Sequence, residues 1–479
     1  MRFTFTQRST VAAVRAPSLA VPAGAGEPRD EVEMGVVVVG VERAREGDVL
    51  LIGRCGAVGP RSQSRAVMNG YERLAVAALG LLLLFSAATA AAGVKRPRPN
   101  DVPGAQTAMA PNDFQVYNDY ATPERTFFSR RAVVHFVVLG IDAPPLNDDD
   151  LDGVPDYVER VGDAADRALA YYERRGFRLP RSDEGGPDAR PDIYVSRFSP
   201  GTLGVAFPAD RAEGGAFAVV ANNLDPSAER SFASVYATVA HELFHLVQFS
   251  YFAADSDPVI PTWILEGTAA GMETRVNPEL EDLVSTIQLR RWFSATDRTM
   301  TTQSYGAQLL WRQLDSQAPR FLPALLTRLA ARPRAGEGQR VVASTYASVT
   351  GKPFAAAFHR FAVSVATDYA DDLEPRAVPR RGVLAPLSVR YARVPLTGRG
   401  YTTLNVTFPR RARGAAATLV YRRENAIPGE PPRTRLIAPH VIDGGRTLAF
   451  TLTAGRRSSA LLVLSNGGAQ AAAYAVSAR

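Results

Sequence analysis

The stretch YATVAHELFHLVQFSYF, residues 236–252, holds two of the chain's five histidines, four positions apart, with a glutamate directly after the first. Residues i and i+4 lie on one face of a helix, so His241 and His245 can direct two imidazoles at a single ion. Glu242 is rotated by about 100° from His241 and can reach a water beside that ion. Zinc binds neutral imidazole nitrogen, and hydrolysis needs a base next to a water whose pKa the ion has lowered. The spacing therefore predicts a zinc site with its own general base.

The rest of this helix is apolar, which indicates that it is buried. Polar side chains in a buried helix are costly unless they have partners. The competing interpretation is an amphipathic helix on which the histidine pair is a coincidence and the glutamate is exposed. The apolar positions that favour a buried helix are Phe232, Val235, Val239, Phe244 and Val247.

Composition narrows the classes of protein to which the chain can belong. With 479 residues, 46% of them hydrophobic and 22% charged, it is long enough for two or three globular domains. The formal net charge is +7, but the basic residues are almost all arginine, with Lys95 and Lys352 as the lysines, and they are scattered among acids. We therefore expect no nucleic-acid partner.

Residues 68–92 have the three parts of a secretory signal peptide: a short polar start at Met68, an apolar run to about Phe85, and small residues with Ala-x-Ala spacing. Because a signal peptide begins a chain, we expect residues 1–67 to be a spurious N-terminal extension. The alternative is a cytoplasmic tail, with 74–92 as an uncleaved membrane anchor. The prediction is a secreted or extracytoplasmic protein that keeps no stable membrane partner after cleavage.

The order of predicted elements is strands first and helices second. Residues 93–125 have no apolar period and are expected to be a linker or lead-in. Residues 126–378 then contain short β-branched strands around one helix, 157–177, followed by a run of helices, which is the pattern of an α+β domain. The predicted strands are 132–141, 191–198, 201–208 and 215–224, and the later helices are 227–253, 262–275, 280–293, 303–316, 320–331 and 353–370.

Residues 379–479 form a second predicted domain. The helical period disappears, and short runs with a period of two are separated by Gly, Pro and Asn. This pattern predicts an antiparallel β-sandwich. Nothing in the sequence identifies a ligand for it.

The third zinc ligand is expected on the next helix, where TWILEGTAAGMETRV, residues 262–276, offers Glu266. At this point the chain resembles the gluzincin metallopeptidases, which have a zincin fold and in which a second helix supplies a glutamate ligand after H-E-x-x-H. Residues 263–273 resemble the W-x-x-E-G-x-A-x-x-x-E signature of the aminopeptidase N class. The chain from 148 to about 369 is also similar to little-characterised secreted bacterial metalloprotease-like proteins with H-E-x-x-H-x-x-Q, matched here by Gln248.

The resemblance assigns a role to each polar residue of this region. It implies that His241, His245 and Glu266 are the zinc ligands and that Glu242 is the general base. Glu273 would be a carboxylate behind the ligands.

The substrate-binding strand is where the chain departs from the aminopeptidase pattern. Aminopeptidases of that class recognise the substrate amine with an acid in a Gly-x-Met-Glu-Asn strand, whereas GGAFAVVANN, 214–223, has no acid. We expect this segment to be an edge strand that binds a peptide by strand addition, and we therefore favour an endopeptidase. A donor must also stabilise the oxyanion, and Tyr305 is the candidate, with an arginine as the alternative.

The remaining histidines are not expected to bind zinc. His135, on its strand, and His359, in an apolar helix, are expected to be core residues with hydrogen-bond partners. His440 falls in a predicted loop of the β-sandwich.

A second ion is predicted at DDDLDGVPDYVE, residues 148–159. Acids at positions 1, 3, 5, 9 and 12, with Gly at position 6, match a calcium-binding loop. The alternative is an acidic turn that caps the following helix. A stabilising ion also suits an exported protein whose one cysteine, Cys55, lies in the extension. The expected calcium ligands are Asp148, Asp150, Asp152, Asp156 and Glu159, with a carbonyl from Val154.

The leading hypothesis for function is a secreted zinc metallopeptidase with a peptide or protein substrate. One alternative is a non-catalytic surface-binding protein on a decayed zincin scaffold, although the base Glu242 is intact. The other is a zinc hydrolase that acts on a non-peptide substrate, because the ligands set the chemistry while the pocket sets the substrate. The sequence leaves the oligomeric state open.

Overall fold

The computed structural model describes residues 42–43, 49–50 and 123–478, with gaps at 181, 183–187, 199–201, 209–215, 225–233, 252–259, 284–286, 332–337, 397–400, 424–432, 444–446 and 454–457. These residues form several sheets and eight α-helices, which agrees with the predicted α+β class. Within the predicted extension, only an antiparallel pair is described, β1 (Glu42–Arg43) with β2 (Val49–Leu50). The predicted signal peptide, 68–92, lies outside the described residues, as does 93–122 of the lead-in. None of the described helices is long and apolar enough to cross a membrane.

A five-stranded mixed sheet forms the first layer, with strand order β3-β4-β5-β7-β6. The three central strands are parallel, and the two outer strands pair antiparallel to their neighbours. Central parallel strands are covered on both faces, which is why every residue of β4, β5 and β7 is buried. The strands are β3 (Arg125–Phe128), β4 (Val133–Phe136), β5 (Asp192–Ser196), β6 (Gly204–Pro208) and β7 (Ala216–Ala221).

The sheet order corrects the prediction of an edge strand at 214–223. Strand β7, which lies in that segment, pairs with β5 on one side and β6 on the other, and all six of its residues are buried. The edge strand next to β7 is β6, and β3 lies at the opposite edge. The uninterrupted apolar run of β7 is consistent with this interior position.

The helices follow the predicted order with four differences. The helix predicted over 303–316 begins at Gln308, after a 3₁₀ turn at Tyr305–Ala307. The helix predicted over 227–253 begins at Val235, because the Ser234 side chain caps it by accepting from the Ala237 N–H at 3.1 Å, and it ends at Phe249. The segment 280–293 is divided between a 3₁₀ turn and a short α-helix. Helix α7 was not predicted, since its Val, Thr and Ser residues have low helix propensity. The helices are α1 (Asp156–Arg174), α2 (Val235–Phe249), α3 (Thr262–Val276), α4 (Ile287–Phe293), α5 (Gln308–Gln317), α6 (Phe321–Ala330), α7 (Gly338–Thr350) and α8 (Phe354–Asp368), with 3₁₀ turns at Pro278–Leu283, Met300–Thr302 and Tyr305–Ala307.

Helix α2 packs against strands β6 and β7 of the sheet and against helices α1 and α3. The Tyr172 hydroxyl donates to the Ala240 carbonyl at 2.6 Å, which ties α1 to the middle of α2. Tyr172, Phe177 and Phe244 pack edge to face, with ring centroids 5.2–6.0 Å apart. Truncating a buried phenylalanine such as Phe244 typically costs about 3–5 kcal/mol. This packing makes α2 a rigid support for the polar residues that it carries.

Residues after 375 form two further sheets, with orders β13-β12-β15-β10-β8 and β14-β11-β16-β9. One buried apolar cluster contains residues of both sheets, among them Leu404 and Leu462. The five-stranded sheet also packs against α8, where the Tyr391 hydroxyl donates to the Ala362 carbonyl at 2.9 Å. The strands are β8 (Arg376–Ala377), β9 (Arg381–Leu384), β10 (Ser388–Val394), β11 (Tyr401–Thr407), β12 (Arg413–Arg423), β13 (Arg433–Asp443), β14 (Thr447–Thr453), β15 (Ser458–Asn466) and β16 (Ala472–Ala478).

The histidines outside the predicted zinc site are strand or core residues. His359 bonds to the hydroxyls of Ser465 and Thr418, both at 2.8 Å, and His135 lies between two carboxylates at 2.6 and 3.0 Å. Both are buried, as predicted. The loop prediction for His440 is wrong, because that residue pairs with β12 as part of β13.

Candidate metal centre

Three predicted ligand atoms converge between α2 and α3. The Nε2 atoms of His241 and His245 lie 3.1 Å apart, and Glu266 Oε2 lies 3.5 and 3.6 Å from them. Zinc bonds of about 2.0–2.1 Å in tetrahedral geometry require ligand atoms separated by about 3.3 Å. The two imidazoles and one carboxylate therefore fit a zinc ion in donor type and in spacing.

Close packing of α3 against α5 sets the position of Glu266. A Cβ atom on Gly267, the next residue, would lie 2.7 Å from Trp311 Nε1, so only glycine allows this approach. The Trp311 indole N–H donates to the Trp263 carbonyl at 2.7 Å, which fixes the first turn of α3. Packing against Trp311 thus explains why a glycine, Gly267, directly follows Glu266.

Each histidine has a hydrogen-bond partner at its other ring nitrogen. His241 Nδ1 lies 2.7 Å from Glu273 Oε1, and His245 Nδ1 lies 2.7 Å from Gln248 Oε1. Since an acceptor at Nδ1 holds a proton there, the neutral form of each imidazole has its lone pair on Nε2, where a metal could bind. Glu273 therefore lies where the resemblance implied, behind a ligand.

Buried carboxylates make the centre strongly attractive to cations. Burial alone would lower the pKa of His241, but the hydrogen bonds to Glu266 and Glu273 outweigh it and raise that pKa to about 10. Burial would raise the pKa of Glu266, but its contacts with His241 and His245 lower the pKa well below the usual range. The surroundings that stabilise a proton on His241 would equally stabilise a divalent cation.

Glu242 is a buried carboxylate beside the three candidate ligands and is the candidate general base. Its side chain is buried, and burial raises its pKa although the charges of His241 and His245 act in the opposite direction. Edge strand β6 lies directly against it, because a Cβ on Gly204 would lie 2.7 Å from Glu242 Cγ and 2.9 Å from Oε1. A general base benefits from such a raised pKa.

The ring of Tyr305 packs on the imidazole of His241. The two rings are stacked, with centroids 5.7 Å apart and planes at 20°. Burial, followed by the charge of Glu266, raises the pKa of Tyr305 far above its usual value. The phenol therefore keeps its proton at physiological pH and can only donate its O–H to an acceptor or accept a hydrogen bond.

The acidic loop brings together three of its five predicted side-chain ligands. One carboxylate oxygen from each of Asp148, Asp150 and Asp152 lies within 4.8 Å of the others. Gly153 has φ of 91°, the left-handed conformation that this turn requires, and its N–H donates to Asp148 at 2.9 Å.

The other expected calcium ligands lie beside this group. Asp156 begins α1, and its carboxylate accepts from the Asp149 N–H at 3.0 Å. Glu159 is in the first turn of α1, where burial and then the charges of Asp150 and Asp152 raise its pKa. Val154 donates its N–H to Asp152 at 2.8 Å.

Two residues of this centre have roles that sequence analysis did not assign. Gln248 contacts His245, a candidate ligand. The sequence feature that could have indicated this contact is a polar residue three positions after His245 on a helix that is otherwise apolar. Gly204 lies against Glu242, the candidate base. The sequence feature that could have indicated this contact is a glycine inside a strand, because such a glycine often marks a place where another group packs closely on the backbone.

Comparison with known proteins finds no family model and no curated protein that matches this chain.

Proposed function

We propose that the chain is a zinc-dependent peptidase of the gluzincin type. In this proposal residues 126–378 are a zincin-like catalytic domain and 379–479 are a β-sandwich. The observation that carries the proposal is the convergence of His241, His245 and Glu266 at tetrahedral spacing, with Glu242 buried next to them.

In the proposed mechanism the side chains have three tasks: they hold an ion, transfer a proton and stabilise negative charge. Zinc, when bound, would supply a Lewis acid that polarises the scissile carbonyl and lowers the pKa of a water. Glu242 accepts a proton from the attacking water and delivers it to the leaving amine, a role that its raised pKa supports. Tyr305, which keeps its proton, donates to the oxygen on which negative charge develops.

An endopeptidase is the favoured form of this activity. Strand β6, Gly204–Pro208, is the sheet edge beside Glu242, and its sequence contains no acid that would bind a free substrate amine. Its open side can pair with an extended peptide or protein substrate. Export of the protein remains part of the proposal on the basis of residues 68–92.

Calcium binding at the acidic loop is proposed as a stabilising feature. It is supported by the convergence of Asp148, Asp150 and Asp152 and by the turn at Gly153. Oxygen ligands in such a loop suit a hard cation. An ion at this loop would stabilise the start of α1, which packs on α2.

Metal analysis combined with a digestion assay tests the proposed function. We expect the purified chain to contain one zinc per molecule and to digest casein, and we expect a chelator to abolish the digestion and added zinc to restore it. Zinc binding without hydrolysis of casein or peptides would favour the surface-binding protein or a non-peptide substrate. A chain without zinc would contradict the proposal.

A further inference from the structure

The fully buried side chain of Gln248 joins the two helices of the candidate metal centre. Its Oε1 lies 2.7 Å from His245 Nδ1 on its own helix, α2. Its Nε2 donates to the Leu265 carbonyl at 2.9 Å and to Thr268 Oγ1 at 2.8 Å, both on α3. One amide therefore contacts a ligand histidine and the helix that carries Glu266.

The partners on α3 determine which way the amide points. A backbone carbonyl can only accept, so the atom that faces Leu265 must be the amide NH₂ group. Thr268 Oγ1 donates to the Ile264 carbonyl at 2.7 Å, which leaves this hydroxyl to accept from Gln248. A flipped amide would place two oxygens against each other at Leu265 and would lose the bond to that carbonyl.

The fixed amide in turn determines the tautomer of His245. With Oε1 towards the ring, Nδ1 must carry the proton in the neutral imidazole, and the Nε2 lone pair points at Glu266 and His241. The partner of His241 is the carboxylate Glu273, whereas Gln248 orients its histidine without adding charge. A carboxylate in place of the Gln248 amide would be costly, because this buried centre already holds the carboxylates of Glu242, Glu266 and Glu273.

The same amide also holds the helix of the third ligand. Leu265 directly precedes Glu266, so the bond to its carbonyl fixes the backbone next to that ligand. We propose that Gln248 is a positioning residue that sets the metal-binding tautomer of His245 and aligns Glu266 with it. This inference rests on the proposed zinc site.

Two substitutions separate the two tasks of the amide. Gln248→Leu removes all three hydrogen bonds, because it replaces the amide with a shorter apolar side chain. Gln248→Glu keeps an acceptor for His245 but places an oxygen against the Leu265 carbonyl. Thr345→Val is the matched control, because Thr345 is fully buried and its hydroxyl bonds to the Val341 carbonyl on α7, away from the centre.

Two properties are measured on the full-length chain. Zinc affinity is measured by competition with a chelator, and the tautomer of His245 is determined in the zinc-free chain by ¹⁵N-histidine NMR. With five histidines in the chain, the signals are few, and His245→Ala identifies the one of interest. We expect Gln248→Leu to bind zinc about 10- to 100-fold more weakly, the usual effect of losing such a partner, and to lose the Nδ1–H tautomer. We expect Gln248→Glu to keep that tautomer and Thr345→Val to match the wild type in both.

Either of two results would overturn the inference: wild-type zinc affinity in Gln248→Leu, or the Nδ1–H tautomer persisting in that variant. If the wild type itself binds no zinc, the proposed function fails. The tautomer comparison in the zinc-free chain then still decides whether Gln248 orients His245. If Gln248→Leu does not fold, Gln248→Glu decides, because loss of the Nδ1–H tautomer in it contradicts the proposed geometry.

Discussion

Gly204 leaves the room that Glu242 needs, and adding one methyl group there should remove activity without removing the metal. In Gly204→Ala the new Cβ would lie 2.7 Å from Glu242 Cγ, whereas ordinary van der Waals contact begins at 3.4 Å. Glu242 Cγ or the strand must therefore move by about 0.7 Å, and the side chain is the softer of the two. A misplacement of about 1 Å can cost roughly 10²-fold in rate, so we expect a loss of that order in kcat/KM.

The assay is hydrolysis of a fluorescent casein, with zinc content and melting temperature measured on the same preparations. Zinc content should stay at the wild-type value, because the proposed ligands are His241, His245 and Glu266. Ala206→Gly changes one methyl group two residues along the same strand and controls for general disturbance of β6. Wild-type hydrolysis by a folded, zinc-loaded Gly204→Ala protein would refute the placement of Glu242 against the strand.

The other predictions concern the oxyanion donor, the acidic loop and a buried histidine. Tyr305→Phe should keep its zinc and lose about 10²- to 10³-fold in kcat, the usual effect of removing one oxyanion donor; an unchanged kcat would exclude that role. Asp150→Ala with Asp152→Ala should abolish any rise in melting temperature on adding calcium, because an ion that binds only the folded state stabilises it; a rise equal to that of the wild type would show that calcium acts elsewhere. Burial lowers the pKa of His359 to about 4 from 6.5, so the unfolded chain takes up a proton first as the pH falls. The free energy of unfolding should therefore fall by roughly 3 kcal/mol between pH 6.5 and 4. In His359→Gln, urea titrations should show a smaller fall over the same range; an equal fall in the variant and the wild type would contradict this reasoning.

The parts of the centre that depend on short sequence spacing were predictable. His241 and His245 lie four residues apart on one helix, and helical geometry alone brings their rings together. Glu266 lies on a different helix, and helical period could not show that α3 packs against α2. The resemblance to a known motif supplied that prediction, and the packing of Gly267 on Trp311 now gives it a physical reason.

The parts that depend on tertiary packing were not predictable in detail. The edge strand was assigned to 214–223, although β6 occupies that position, because sheet order is set by long-range pairing. Gln248 was noted only as a match to a motif, since its partners Leu265 and Thr268 lie on another helix. Helix α7 was missed because its many β-branched residues gave it a weak local signal, and packing stabilises it instead.

The zinc content of two variants of the full-length chain tests the central claim most directly. The claim is that His241, His245 and Glu266 hold the ion, while Glu242 is the base and not a ligand. The ratio of zinc to protein should be one in the wild type and in Glu242→Gln, which should nevertheless lose about 10²- to 10⁴-fold in hydrolysis. The ratio should fall close to zero in Glu266→Ala, because a site with three protein ligands has none to spare. Full zinc content in Glu266→Ala, or loss of zinc in Glu242→Gln, would contradict the claim.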